Sequence, residues 1–240
     1  MAPFVVTIDG PAASGKSTVA RLLAMRIQGQ YLDTGAMYRT IAWAAIKAGV
    51  DLQDTQSLIA LIDRTRFDFV PGPDRMEVYV DGQQVTDQIR DPELTNLVRF
   101  VADCRPVRDR LVQMQRQFAQ GVARLVTEGR DQGTVAFPEA PAKFYLVADP
   151  RERARRRQHQ LRQTGIECPL EEIEKAIRER DKIDQERQKG GLRPAPNAVI
   201  VDTTGLSAEQ VVDLMASLLH QAFGITIASA NRADDEGLAG

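Results

Sequence analysis

The residue types best suited to chemistry begin at position 10. Gly10-Pro11-Ala12-Ala13-Ser14-Gly15-Lys16-Ser17 fills every fixed position of G-x-x-x-x-G-K-[ST], and Thr18 follows. Glycines let successive backbone N–H groups turn inward onto phosphate oxygens with no Cβ in the way. A helix opening near Lys16 would add the positive end of its dipole. Lys16 would reach the β- and γ-phosphates of a nucleotide, and the Ser17 hydroxyl would ligate Mg²⁺. The plainer reading is a Gly-rich turn with a surface lysine. A buried strand before the motif and a helix after it weigh against that. Such a loop specifies a phosphate donor and leaves the reaction open, because motors, GTPases and kinases all share it.

Four more stretches concentrate groups that could bind a second anion. They are Leu32-Asp33-Thr34-Gly35-Ala36-Met37-Tyr38-Arg39, then Glu128-Gly129-Arg130-Asp131-Gln132-Gly133-Thr134, then Arg153-Ala154-Arg155-Arg156-Arg157, and Arg180 to Arg187. Rigid guanidinium forks suit a phosphate bearing about two negative charges. Any single arginine taken alone is more simply a solvated surface charge. Arg180, Asp184 and Arg187 recur at i, i+4 and i+7, so they share a helix face, which by itself is better read as a solvated ion-pair face.

The elements that must position these groups follow an α/β pattern. Phe4-Val5-Val6-Thr7-Ile8 is a short β-branched run ending at Asp9-Gly10, a buried strand of a parallel sheet. Residues 16–28 place Val19, Leu22, Leu23 and Ile27 on one helix face. A second strand (30–33) and a second helix (34–49, carrying Trp43 as a core residue) follow. The middle changes period: Phe67 and Phe69 alternate, as do Met76, Val78 and Val80, with Asp81-Gly82 as a tight turn. This reads as an antiparallel insert outside the main sheet, leading to a helix from Pro106 with Val107, Leu111, Met114 and Phe118 on one face. Strands at 124–127, 143–147 and 198–202 bring the parallel set to five. The last helix opens with a Ser207/Gln210 capping box and turns Val211, Leu214, Leu218 and Leu219 inward.

Bulk properties narrow the class. The chain has 240 residues, 43% hydrophobic and 27% charged, with a formal net charge of −2. Nothing there drives it towards nucleic acid or acidic membranes. No apolar run is long enough to span a bilayer, and the N-terminus lacks the pattern of a secretory signal. Cys104 and Cys168 have no metal-ligand spacing and read as free thiols of a cytoplasmic protein, and His159 and His220 stand apart from every motif.

Taken in order, TIDGPAASGKST, LDTGAMYR, GRDQGTVAFP, RARRR, RDKIDQER and VDTTGLS resemble the bacterial cytidylate kinases up to about residue 222. The resemblance implies a P-loop nucleoside-monophosphate kinase fold. Its five-stranded parallel sheet is flanked by helices, with a β-containing acceptor-binding insert (about 63–122) and a helical lid (about 153–190). One domain over 1–224 and a disordered tail over 225–240 are expected, and a monomer. The implied reaction moves the γ-phosphoryl of ATP to CMP or dCMP with Mg²⁺, in pyrimidine nucleotide metabolism. Asp33 and Thr34 join the acceptor site by that resemblance, with Arg39, Arg130 and Arg187 clamping the acceptor phosphate. Arg180 and Asp184 would hold the ribose, and Asp131 with Arg108 would read cytosine. Arg153 and Arg157 are the lid arginines expected at the transferring phosphate.

Three positions depart from the family's pattern. Arg99 stands where a small hydroxyl residue is usual, Glu128 replaces an aspartate before Gly129-Arg130-Asp131, and Lys189-Gly190-Gly191-Leu192-Arg193-Pro194 replaces the usual A-P-L. Two other functions remain to be separated: a kinase for a different small acceptor, and a P-loop switch that signals through a partner. The first predicts turnover with another acceptor, the second none at all.

Overall fold

A computed structural model describes residues 2–71, 75–163, 165–186 and 190–228. Its centre is a five-stranded parallel sheet in the order β2 (Gln30–Asp33), β6 (Arg124–Gly129), β1 (Phe4–Asp9), β7 (Ala142–Val147), β8 (Val199–Asp202). All five are the strands expected from the apolar runs. The alternation along each strand divides the core in two. Val5, Leu32 and Leu125 face a cluster built on α2 (Thr34–Lys47) and the insert. Val6, Ile8, Val126 and Leu146 face α1 (Lys16–Arg26) and α8 (Ala208–Phe223). Helices on both faces explain why β1 reads as a continuous apolar run.

The insert is a three-stranded antiparallel sheet of β3 (Phe67–Val70), β4 (Glu77–Val80) and β5 (Gln83–Gln84). Asp81 and Gly82 both take positive φ, 49° and 80°, as a type I′ hairpin requires. Two helices join it to the main domain. α5 (Arg105–Gln120) starts one residue before Pro106, which lies in its first turn as expected. α4 (Pro92–Asp103) precedes it, and Arg99 there is exposed, its guanidinium 4.8 Å from the centre of the Phe100 ring. α3 (Thr55–Arg64) was not anticipated; Asp54 caps it by accepting from the N–H groups of Gln56 and Ser57 at 3.0 and 3.2 Å. The insert shares one apolar cluster with α2 and α3, since Met76, Val78, Val80 and Ile89 pack with Met37, Ile41, Leu58 and Leu61.

The segment expected to form a lid contains α6 (Pro150–Gln163) and α7 (Leu170–Glu186), joined by a small cluster of Ala154, Ile173 and Ile177. P-loop residue Ala13 packs on that cluster, so the lid sits on the phosphate loop. α8 has the complete capping box: Gln210 N–H donates to Ser207 Oγ and Ser207 N–H to Gln210 Oε1, at 3.2 and 2.8 Å.

Two expectations need correction. Leu214 is 45% exposed, because the inward stripe of α8 runs through Val211, Val212, Met215, Ala216 and Leu219 and leaves Leu214 outside it. The chain also stays packed past 224. Ile225 is buried in the cluster of α1 and α8, and Ala228 N–H donates to the Arg26 carbonyl at 2.8 Å. The expected disorder over 229–240 lies outside the described residues.

Candidate active site

The phosphate loop runs from the end of β1 into α1. Gly10 has φ 152°, and a Cβ there would sit 2.2 Å from the Leu146 carbonyl oxygen of β7. Glycine is thus required by the neighbouring strand as well as by any phosphate. Gly15, at φ 90°, precedes α1, whose first turn has no side-chain cap and no acidic residue. A helix start left open in this way suits an anion. Gly10, Pro11, Ser14 and Lys16 are buried, Ala12, Ala13 and Gly15 half-buried, and Ser17 and Thr18 exposed.

Lys16 folds back over the loop, its Nζ donating to the Pro11 carbonyl at 2.6 Å. Its pKa falls to about 7, mainly through burial and then through the Arg130 charge, with Glu128 and Asp9 pulling the other way and Arg180 lowering it further. A triphosphate would restore the charged form. Donor binding above pH 7 must therefore take up a proton, and affinity should fall by up to about tenfold per pH unit. Calorimetry at pH 8 in buffers of different ionisation heat should show net proton uptake; finding none would refute a neutral Lys16.

Glu128, at the end of β6, accepts from the Ser17 hydroxyl at 2.8 Å and from the Tyr31 hydroxyl at 3.4 Å. Thr34 donates to the Glu128 carbonyl at 2.6 Å, fixing the start of α2 beside that strand. Ser17 and Glu128 are an all-oxygen pair of the kind Mg²⁺ prefers. No cluster of three or more His, Cys, Asp or Glu able to hold a metal occurs among the described residues. Two oxygens are a minor part of an octahedral shell, so the pair would suit an ion that takes its other ligands from water and phosphate.

Asp33 caps α2 by accepting from Ala36 N–H at 2.8 Å and pairs with Arg39 at 3.2 Å. Arg130 Nε donates to the buried Asp184 of α7 at 3.0 Å. Asp131 pairs with Arg108 of α5, whose guanidinium also reaches the carbonyls of Ala102 and Gly190 at 3.2 and 3.4 Å. A Cβ on Gly190 would overlap both members of that pair. Arg180 is exposed yet near enough to Lys16 to act on it. Arg187 lies outside the described residues.

The lid arginines divide differently from the expected pair. Arg153 is 5% exposed and donates through Nη1 to the Ala12 carbonyl at 3.2 Å and to Asp181 at 2.5 Å. Arg157 is exposed. Arg156 faces the loop in its place, donating to Thr203 Oγ1 and to the Thr203 carbonyl at 3.0 and 2.6 Å, beside Gly15. Arg153 and Arg156, three apart, share the inward face of α6.

Sequence reasoning passed over Asp9. Its carboxylate accepts from the N–H groups of Gln132 and Gly133, both at 2.8 Å, and so ties the strand before the phosphate loop to the turn after Asp131. Burial raises its pKa to about 6 in spite of those two bonds. Residues 132–136 form one π-helical turn, held from α5 by Arg116, which donates to the Val135 and Ala136 carbonyls at 2.9 and 2.8 Å. The only local signal was an acidic residue at a strand end next to the loop motif.

The sequence pattern described as Cytidylate kinase matches residues 6–221. The cytidylate kinase of Geobacillus thermodenitrificans (strain NG80-2) is 43% identical over 219 residues, covering 91% of this chain and 97% of that protein. That of Rhodopirellula baltica is 40% identical over 231 residues, covering 96% and 99%. A bifunctional pantoate ligase/cytidylate kinase of Synechococcus sp. (strain JA-2-3B'a(2-13)) is 44% identical over 220 residues, 90% of this chain and 40% of that longer protein. With a phosphate loop and a flanking set of arginines in one fold, and likeness of this extent, the chain belongs to the cytidylate kinase family.

Proposed function

We propose that the protein transfers the γ-phosphoryl of ATP to CMP, and to dCMP, with Mg²⁺ accompanying the nucleotide. The observation that carries this reading is the closeness of the two halves: Ser17 of the donor loop donates at 2.8 Å to Glu128, two residues before Arg130, and Asp9, just before that loop, accepts at 2.8 Å from the N–H groups of Gln132 and Gly133, just after Asp131. Gly10 to Thr18 hold the donor phosphates, with Lys16 bridging towards the transferred group. Arg39 and Arg130, with Arg187, take the acceptor phosphate once it displaces Asp33 and Asp184 from their guanidinium groups. Arg180 and Asp184 are left to the ribose. Asp131 accepts from the cytosine amine while Arg108 donates to its ring acceptors, and a uracil carbonyl at the same place would leave two acceptors facing each other.

No covalent intermediate is needed. Catalysis rests on alignment and on cationic groups around the equatorial oxygens, with the lid excluding water. When bound, Mg²⁺ would be held on the protein side by Ser17, with Glu128 oriented behind it, and would offset charge on the phosphates. Among the described residues no helix is long and apolar enough to cross a membrane. An ADP-release assay with CMP, dCMP, UMP and AMP tests the assignment. CMP should exceed UMP and AMP in kcat/KM by at least about 10²-fold. Equal activity with UMP or AMP would overturn the base assignment, and ADP release that no acceptor stimulates would overturn the kinase reading.

A further inference from the structure

The geometry points to Asp181 as a positioning residue for phosphoryl transfer, one that holds the Arg153 guanidinium against the phosphate loop. The inference rests on the phosphotransferase reading above. Both backbone groups of Ala12 are engaged from the lid: its N–H donates to Asp181 Oδ1 at 3.3 Å, and its carbonyl accepts from Arg153 Nη1 at 3.2 Å. Arg153 Nη1 also meets Asp181 Oδ2 at 2.5 Å, which closes a ring of three residues from the loop, α6 and α7.

Arg153 Nε donates to the Ala148 carbonyl at 3.1 Å. Three of the five guanidinium N–H groups are thereby used, and the two that remain are both on Nη2. A side chain 5% exposed and fixed at three points leaves one nitrogen as donor for the transferred phosphoryl group. Pairing with Arg153 also offsets the charge of Asp181, which would otherwise repel a triphosphate from the loop.

A purely structural role is less well supported. Ala154, Ile173 and Ile177 already pack α6 against α7, and a buried ion pair is a weak source of net stability. The register of α7 adds to the case. Asp181 serves Arg153, and Asp184, three residues on, serves Arg130 at 3.0 Å, so one helical turn places a carboxylate on an arginine of each half of the site.

Asp181→Asn keeps the size of the side chain and an acceptor for Ala12 but removes the charge that pairs with Arg153. With CMP as acceptor, kcat should fall at least about tenfold and KM for CMP should stay within about twofold, while the melting temperature falls because the buried Arg153 loses its counter-charge. In an Arg153→Ala background the same substitution should change kcat by less than about twofold, because its effect runs through that arginine. Unchanged kcat in the single variant, a loss confined to KM, or losses that multiply in the double variant would each overturn the inference. Should Asp181→Asn fail to fold, Asp181→Glu goes through the same cycle. It keeps the charge but shifts the carboxylate by one methylene, so a kcat loss is again expected only when Arg153 is present, and its persistence without Arg153 overturns the inference. Wild-type turnover of CMP is the control. Its absence would count against the acceptor assignment, and the cycle would then be read from ATP hydrolysis without acceptor.

Discussion

Lys16→Ala should lower turnover with every acceptor by about 10²–10³-fold, the loss typical of removing one preorganised donor from a developing anion. The effect should fall on kcat as well as on donor affinity, because the lysine is assigned to the phosphate that moves. Stability should hold or rise slightly. Lys16 is 5% exposed and its burial lowers its pKa to about 7, so the empty protein loses a poorly solvated cation when the side chain is removed. The informative measurement is single-turnover transfer beside a thermal melt. A variant that melts normally and transfers at the wild-type rate would remove Lys16 from the reaction.

Asp131→Ala should act on choice among acceptors and leave the donor side alone. Its carboxylate is buried against the Arg108 guanidinium, so the deletion removes the proposed acceptor for the cytosine amine and strands a cation. We expect kcat/KM for CMP to drop by about 10²-fold, with UMP changing far less, so that most of the discrimination between them disappears. Donor affinity measured without acceptor should be unaltered. The two substitutions are separable in this way: one disables transfer to anything, the other loosens which base is accepted. If CMP and UMP fell in parallel, Asp131 would be a structural carboxylate of the turn and not a reader of the base.

Much of this architecture was legible in the sequence, and the reason differs by element. The phosphate loop, the Asp81-Gly82 turn and the Ser207/Gln210 box are each specified by residues adjacent in the chain, so local spacing was sufficient. The five parallel strands were legible because burial on both faces leaves an unbroken apolar run. What escaped depends on partners far apart. Asp9 is meaningful only beside Gly133, 124 positions away, and Asp181 only beside Ala12, 169 positions away. Helix phase escaped as well. Arg153 and Arg157 look equivalent by spacing, yet the seating of α6 on the loop turns Arg156 inward and leaves Arg157 in solvent. In α8 the same uncertainty of phase misplaced Leu214. Glu128 was noted as a departure, but its link to Ser17 joins β6 to α1 and appears only in three dimensions.

The assigned base reader has a consequence for anyone wishing to redesign the acceptor. Arg108 belongs to the insert, Asp131 to the turn after a central strand, and the Gly190 carbonyl to the segment leaving the lid. Gly190 has no Cβ, and one there would occupy the space of both side chains. On the proposed assignment, selectivity would not be modular in this chain. Transplanting the insert from a kinase of different preference would move one of three contributors and leave the other two fitted to the old one. A working chimaera would have to exchange Arg108, Asp131 and Gly190 as a set.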